Sequence, residues 1–188
     1  MSMGWVMKIF ISGGCKNGKS TYAQKFAAKQ NDKTSGLYYI ATMTPKDSED
    51  VERVRRHQAE REGWGFDTIE MPKYILGCLP LINPGASVLL DSATALFANE
   101  MFTGGRVDHN AAQRVADDLE TLVNSLENIV IVSDAIYSDA FLYDSLTEDY
   151  RRGLALIDRT LARHCGVVLE ASFGTLTVHK GALPSEEL

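Results

Sequence analysis

At 188 residues, with 45% hydrophobic and 23% charged positions, the chain has the length and composition of one globular domain with a sizeable core. A net charge of −6 argues against the basic footprint of a nucleic-acid binder, and no apolar run reaches the roughly 20 residues of a membrane span. The three cysteines, Cys15, Cys78 and Cys165, show no paired spacing, which speaks against a disulfide framework or a cysteine metal site and fits reduced thiols in a cytoplasm. Residues 1–6 read as a short lead, too short for a signal peptide.

In chain order, the first predicted strand is 8–12, with the apolar core Ile9-Phe10-Ile11. It runs into Gly13-Gly14-Cys15-Lys16-Asn17-Gly18-Lys19-Ser20, and a helix is predicted over 19–29. Strand, glycine turn and helix form the context of a phosphate-binding P-loop. Gly13 and Gly18 let the backbone curl so that successive N–H groups face one phosphate, and the helix start adds its positive dipole end. Lys19 is expected to reach the β- and γ-phosphates of a nucleoside triphosphate, and the Ser20 hydroxyl to ligate Mg²⁺.

A strand follows at 37–42, then a helix at 48–61, a strand at 66–70 and a strand at 87–91. Helices are predicted at 94–102 and 110–126, a strand at 129–133, a helix at 147–165, and strands at 167–171 and 176–179. Val88-Leu89-Leu90 and Ile129-Val130-Ile131-Val132 are apolar throughout, as in strands buried on both faces. Strands alternating with helices predict an α/β fold, P-loop NTPase-like, with a mostly parallel sheet flanked by helices. Phe173-Gly174-Thr175 reads as a hairpin turn, so the sheet should end in an antiparallel C-terminal edge. No linker, repeat or low-complexity tract divides the chain, and residues 1–188 read as a single domain.

Ligands of open α/β sheets sit at the carboxyl ends of strands. Asp91 ends one buried strand and is the candidate for holding Mg²⁺; its alternative is a helix cap, for which Ser92 competes. Asp134 ends another, as a second metal candidate or a turn residue, and Thr42 ends a third, in reach of phosphate or base. Arg53, His57 and Arg61 recur at steps of four and share one helix face. A histidine between guanidiniums fits nucleophilic contact with a nucleotide phosphate, but the spacing alone reads first as a solvated face with Glu49–Arg53 and Glu52–Arg56 pairs. His109, His164 and His179 show no partner pattern and read as structural or surface residues.

Gly13-Gly14-x-x-x-Gly18-Lys19-Ser20, Tyr39-Ile40-Ala41-Thr42, Arg53-Val54-x-x-His57, Glu70 and Val88-Leu89-Leu90-Asp91 occur in that order. Together they resemble the bifunctional adenosylcobinamide kinase / adenosylcobinamide-phosphate guanylyltransferase family of cobalamin biosynthesis. The resemblance reverses the reading of His57 from spacing alone. It implies phosphorylation of the aminopropanol hydroxyl of adenosylcobinamide, then transfer of GMP from GTP to that phosphate through a guanylyl-histidine at His57. It also implies that Thr42, Arg53, Arg61 and Glu70 line the nucleotide site, that GTP or ATP is used with Mg²⁺, and that the assembly is a homotrimer. The chain departs from the family at Ser133-Asp134-Ala135-Ile136-Tyr137, where Thr-Asn-Glu-Val-Gly is usual, replacing a glutamate by Ala135 and a glycine by Tyr137; it departs also at Ser92-Ala93-Thr94-Ala95, where Cys-Leu-Thr is common, and in a spacing after His57 one residue longer than in some members. Two other readings stay open: a P-loop kinase for another small alcohol, and a nucleotide-binding protein without catalysis.

Overall fold

The sheet-forming segments follow the apolar runs closely. In the computed structural model, which describes residues 6–45, 48–137 and 139–183, the strands are β1 (Lys8–Gly13), β2 (Leu37–Ala41), β3 (Asp67–Glu70), β4 (Ser87–Asp91), β5 (Phe102–Thr103), β6 (Arg106–Val107), β7 (Asn128–Asp134), β8 (Val167–Ser172) and β9 (Thr175–Lys180). The helices are α1 (Lys19–Gln30), α2 (Ser48–Arg61), α3 (Ala93–Met101), α4 (Ala111–Ser125) and α5 (Ser145–His164). Within α2 the side chains of Glu49, Asp50, Arg53, Arg56, His57 and Glu60 lie outside the described structure.

Seven strands form one sheet in the order β3-β2-β4-β7-β1-β8-β9. All pairs are parallel except β8 with β9, which the Phe173-Gly174 turn folds back as an antiparallel edge. Both turn residues have positive φ, 51° and 76°, the backbone of a two-residue hairpin loop. Two short features were not expected from the sequence. A 3-10 helix at Ile75–Leu81 contains Gly77 and Pro80 and carries no helical periodicity, and β5 and β6 form a small hairpin around Gly104-Gly105.

Alternate strand residues feed two cores. Phe10, Ile40, Val88, Leu90, Ile129 and Ile131 face the layer built by α3, α4, α5 and the 3-10 helix. Ile9, Ile11, Tyr39, Leu89, Val130 and Val132 face the layer that holds Ala23, Phe26 and Ala27 of α1. The crossover from β1 to β2 therefore passes over one face, and those from β4 to β7 and β7 to β8 over the other. Right-handed crossovers running in opposite directions must lie on opposite faces. The chain thus leaves adjacent strands β1 and β7 toward opposite faces, and a crevice opens between their carboxyl ends. The register sets Gly13 directly opposite Asp134 there.

Candidate functional site

The P-loop occupies this crevice. A Cβ on Gly13 would overlap the Ala171 carbonyl of β8, so only glycine allows that close approach. Asn17 Nδ2 donates to the same carbonyl at 3.3 Å and ties the loop to β8. Lys16 and Gly18 hold positive φ, 61° and 80°, as the loop turns into α1. The helix starts at Lys19 with no side-chain cap and no acid in its first turn. Its first N–H groups and positive dipole end are thus left for an external anion. Cys15 and Lys16 are exposed at the tip, Gly14, Asn17 and Ser20 are half-buried, and Lys19 is only 6% exposed. Gly13, Gly14, Cys15, Lys16, Asn17, Gly18, Lys19 and Ser20 thus span the turn that joins β1 to α1.

The Lys19 ammonium donates to the Gly14 carbonyl at 2.6 Å and pairs with Asp134 Oδ1 at 2.8 Å. Behind Asp134 lies a polar network. The Thr94 hydroxyl accepts from the Asp134 N–H at 2.8 Å and lies 3.3 Å from the Ser133 hydroxyl. The Tyr150 hydroxyl donates to the Thr94 carbonyl at 3.2 Å. The Tyr137 hydroxyl donates to Asp158 Oδ2 at 2.7 Å. Burial pushes the Asp158 carboxyl up to about 6, against the opposing pull of hydrogen bonds from Ser133 and Tyr137. The sequence does contain a signal for this residue: Asp158 interrupts the buried stripe Leu154, Ile157 and Leu161 of α5.

A second cavity, of about 200 Å³, lies farther along the same sheet edge between α2 and the ends of β2, β3 and β4. It brings together Arg61, Glu70 and Asp91 with Tyr39, Thr68, Val54 and Gln58. It shares Gln58, Arg61, Thr68 and Glu70 with an outer groove of about 780 Å³ that reaches Glu62, Gly65 and Phe66. The Arg61 guanidinium sits 3.7 Å above the centre of the Tyr39 ring. The Tyr39 hydroxyl donates to Asp91 Oδ2 at 2.9 Å; burial first, then the Asp91 charge, hold that phenol far above its ordinary pKa. Tyr39 therefore stays a donor and fixes Asp91 from one side.

Among the remaining expected residues, Thr42 is fully buried. Its hydroxyl accepts from the Ser92 N–H at 2.7 Å and donates to the Ser92 carbonyl at 2.8 Å. That hydroxyl is committed to clamping the ends of β2 and β4. Ser92, not Asp91, caps α3, its hydroxyl accepting from the Ala95 N–H at 3.2 Å. Arg53 and His57 lie on α2, and their side chains are outside the described structure. Asp91 stands on β4, two strands from β1, so roughly 10 Å of sheet separates it from the P-loop strand. Asp134, on the adjacent strand, is the carboxylate that meets Lys19. His109, His164 and His179 lie near acids, Asp149 at 3.5 Å, Glu120 at 3.5 Å and Glu170 at 2.7 Å, and none of the three lines the cavity beside α2.

This fold and this loop define a P-loop nucleotide-binding protein. The sequence profile of the cobinamide kinase / cobinamide phosphate guanyltransferase family matches residues 9–178, and the chain belongs to that family, whose members are bifunctional enzymes of cobalamin biosynthesis. No curated protein sequence matches significantly. Among solved structures, the fold is similar to an ATPase domain, with a TM-score of 0.53 at 14% identity over 94% of this chain and 77% of that one. It is similar also to a DnaB-like replicative helicase studied with primase, with a TM-score of 0.54 at 14% identity over 94% of this chain and 53% of that one. At that identity the likeness is one of fold.

Proposed function

We propose that this chain phosphorylates adenosylcobinamide with a nucleoside triphosphate held on its P-loop, and then transfers GMP from GTP to the new phosphate through His57. The observation that carries the reading is the placement of two loci on one sheet edge. One is an uncapped helix start with a buried lysine; the other is a cavity floored by Tyr39 and Asp91 and walled by α2, the helix that bears His57.

The residues present fit a triphosphate. The backbone amides of Gly14 to Ser20 and the Lys19 ammonium would hold its phosphates, and Ser20 and Asp91 would hold Mg²⁺, directly or through water. Bound there, Mg²⁺ supplies charge neutralisation on the phosphate oxygens. Lys19 already lies inside the loop and needs only to turn from Asp134 toward the phosphates. Arg61, Glu70 and the groove they line would receive the nucleoside, with Arg53 and Arg61 countering phosphate charge near His57. A neutral imidazole attacking the α-phosphorus of GTP releases pyrophosphate and leaves GMP on the ring. Attack by the cobinamide phosphate then restores the histidine, so one hard displacement becomes two easier ones. The resemblance carries with it a homotrimer whose subunit contacts help build the sites; the unpaired cysteines fit a cytoplasmic setting, and either ATP or GTP would serve as phosphoryl donor.

The test supplies GTP, Mg²⁺ and adenosylcobinamide and separates products and intact protein by mass. The expected result is adenosylcobinamide phosphate, GDP-cobinamide and a protein adduct of one GMP that is acid-labile, base-stable and lost in His57→Ala. Phosphoryl transfer to another alcohol with no GMP adduct would instead support a simpler P-loop kinase.

A further inference from the structure

We infer that Asp134 is the general base of the phosphoryl-transfer step, a role that rests on the kinase reading above and goes beyond it. Asp134 ends β7 directly opposite Gly13, and its Oδ1 lies 2.8 Å from the Lys19 ammonium. That ammonium is the group a P-loop directs at the β- and γ-phosphates. A carboxylate that touches it at rest therefore borders the γ-phosphate end of the loop, where the attacking hydroxyl must enter. Asp91 lies one strand farther away and is engaged by Tyr39. Ala135, in the position of the family's glutamate, offers no carboxylate of its own.

The placement of Asp134 is built from both flanking helices. Thr94 of α3 holds its N–H, and Ala135 N–H donates to the Gly13 carbonyl at 3.0 Å across the crevice. Tyr137 anchors the following residues to Asp158 of α5 at 2.7 Å. The carboxylate itself is 26% exposed and opens toward the loop rather than into the core. When a triphosphate draws Lys19 away, Asp134 loses its cationic partner and gains a free carboxylate oxygen.

The step then balances as follows. The acceptor hydroxyl oxygen bonds to the γ-phosphorus as the bond from that phosphorus to the β,γ-bridging oxygen breaks. The electron pair leaves with the nucleoside diphosphate, and the hydroxyl proton passes to Asp134, which later returns it to solvent. A carboxylate accepting the substrate hydroxyl proton is the arrangement other kinases use, and general bases contribute about 10²–10⁴-fold.

The experiment compares wild type with Asp134→Asn, which keeps the shape and removes the charge, and follows three readouts. Phosphorylation of adenosylcobinamide should fall about 100-fold or more. Affinity for Mg²⁺-nucleotide should be unchanged or tighter, since Lys19 is released. GMP transfer to adenosylcobinamide phosphate supplied ready-made should stay within about threefold, as general acid–base loss is confined to the step it serves. A kinase rate within threefold of wild type overturns the base assignment, and so does a nucleotide affinity that falls in parallel with the rate, which would make Asp134 a phosphate or metal holder. Failure of the wild type to phosphorylate adenosylcobinamide overturns the acceptor assignment itself, and the base assignment with it.

Discussion

At the scale of single residues, the site is organised by carboxyl groups whose environments differ. Asp134 is 26% exposed and faces an ammonium; Asp158, 3% exposed, accepts from Tyr137 with Oδ2. Burial is the largest cause of its raised pKa, from 3.8 to about 6, and the nearby Asp134 charge adds to it. The sign for stability follows from linkage. Below the unfolded value both states hold the proton and the contribution is complete. As pH rises through about 4 to 6 the unfolded chain ionises first, and stability is lost up to the folded value. Above that value the buried charge costs on the order of 2–3 kcal/mol, from about 1.4 kcal/mol per pH unit. Asp158→Asn keeps an acceptor for Tyr137 and removes the charge. Its Tm should exceed that of wild type by several degrees at pH 8, with the gain shrinking toward zero near pH 4, measured by thermal denaturation across pH. An equal gain at both ends would show that charge burial is not the cause.

At the scale of elements, α5 and α3 close over the sheet face that supports the Asp134 network. α5 is well specified at its ends: Asp144 caps it by accepting from the Thr147 N–H, and Arg163 and His164 sit in its last turn, where a cation is favoured. Midway, Gly153 lets it approach α3, where Phe97 stacks on Tyr150 with ring centres 5.0 Å apart. A Cβ on Gly153 would overlap Phe97 Cζ and stand 2.8 Å from Phe97 Cε1 and 3.0 Å from Ala112 Cβ. Two effects oppose each other in Gly153→Ala. Helix propensity favours alanine by about 1 kcal/mol, and overpacking a rigid ring costs about 1–3 kcal/mol. The packing term should win, giving a net loss of about 1 kcal/mol and a Tm lower by about 2–4 °C in calorimetry; a rise in Tm would mean that the helices part easily. The elements that sequence periodicity exposes are those with a single strong pattern. β4 and β7 are apolar on both faces, and their bounds were legible within a residue or so. The 3-10 helix and the β5–β6 hairpin lack any such pattern, because their shapes come from Pro80, the glycines and packing against α4 and α3. The P-loop was legible because its parts are contiguous. The meeting of Lys19 with Asp134 was not, because it depends on β7 lying beside β1, a pairing over more than a hundred residues of chain. Thr42 shows the same limit, since its burial under Ser92 follows from the pairing of β2 with β4.

At the scale of the whole molecule, a chain of net charge −6 acting on polyanionic substrates would have to gather them by local means. On the proposed reading, the dipole end of α1, Lys16 and Lys19 would serve one locus, and Arg61 of α2 would serve the other. Both lie at the carboxyl edge of the parallel strands of one sheet, where strand order spaces them: β1 for the loop, then β7, β4, β2 and β3 toward the α2 groove. One triphosphate seated on the loop would extend along this edge toward α2, so the two reactions would share a phosphate anchor and differ in the group that acts. The expected pattern of variants is therefore asymmetric. Lys19→Ala should reduce both phosphorylation of adenosylcobinamide and GMP transfer to its phosphate, each by about 100-fold or more, since electrostatic phosphate contacts stabilise both transition states. His57→Ala should abolish GMP transfer and leave phosphorylation within about threefold, since a nucleophile is needed only where the covalent intermediate forms. Quantifying adenosylcobinamide phosphate and GDP-cobinamide from the same reactions separates the cases. If Lys19→Ala spares GMP transfer, the two steps use separate nucleotide seats. If His57→Ala loses phosphorylation as well, α2 contributes to holding the common nucleotide and not only to the transfer of GMP.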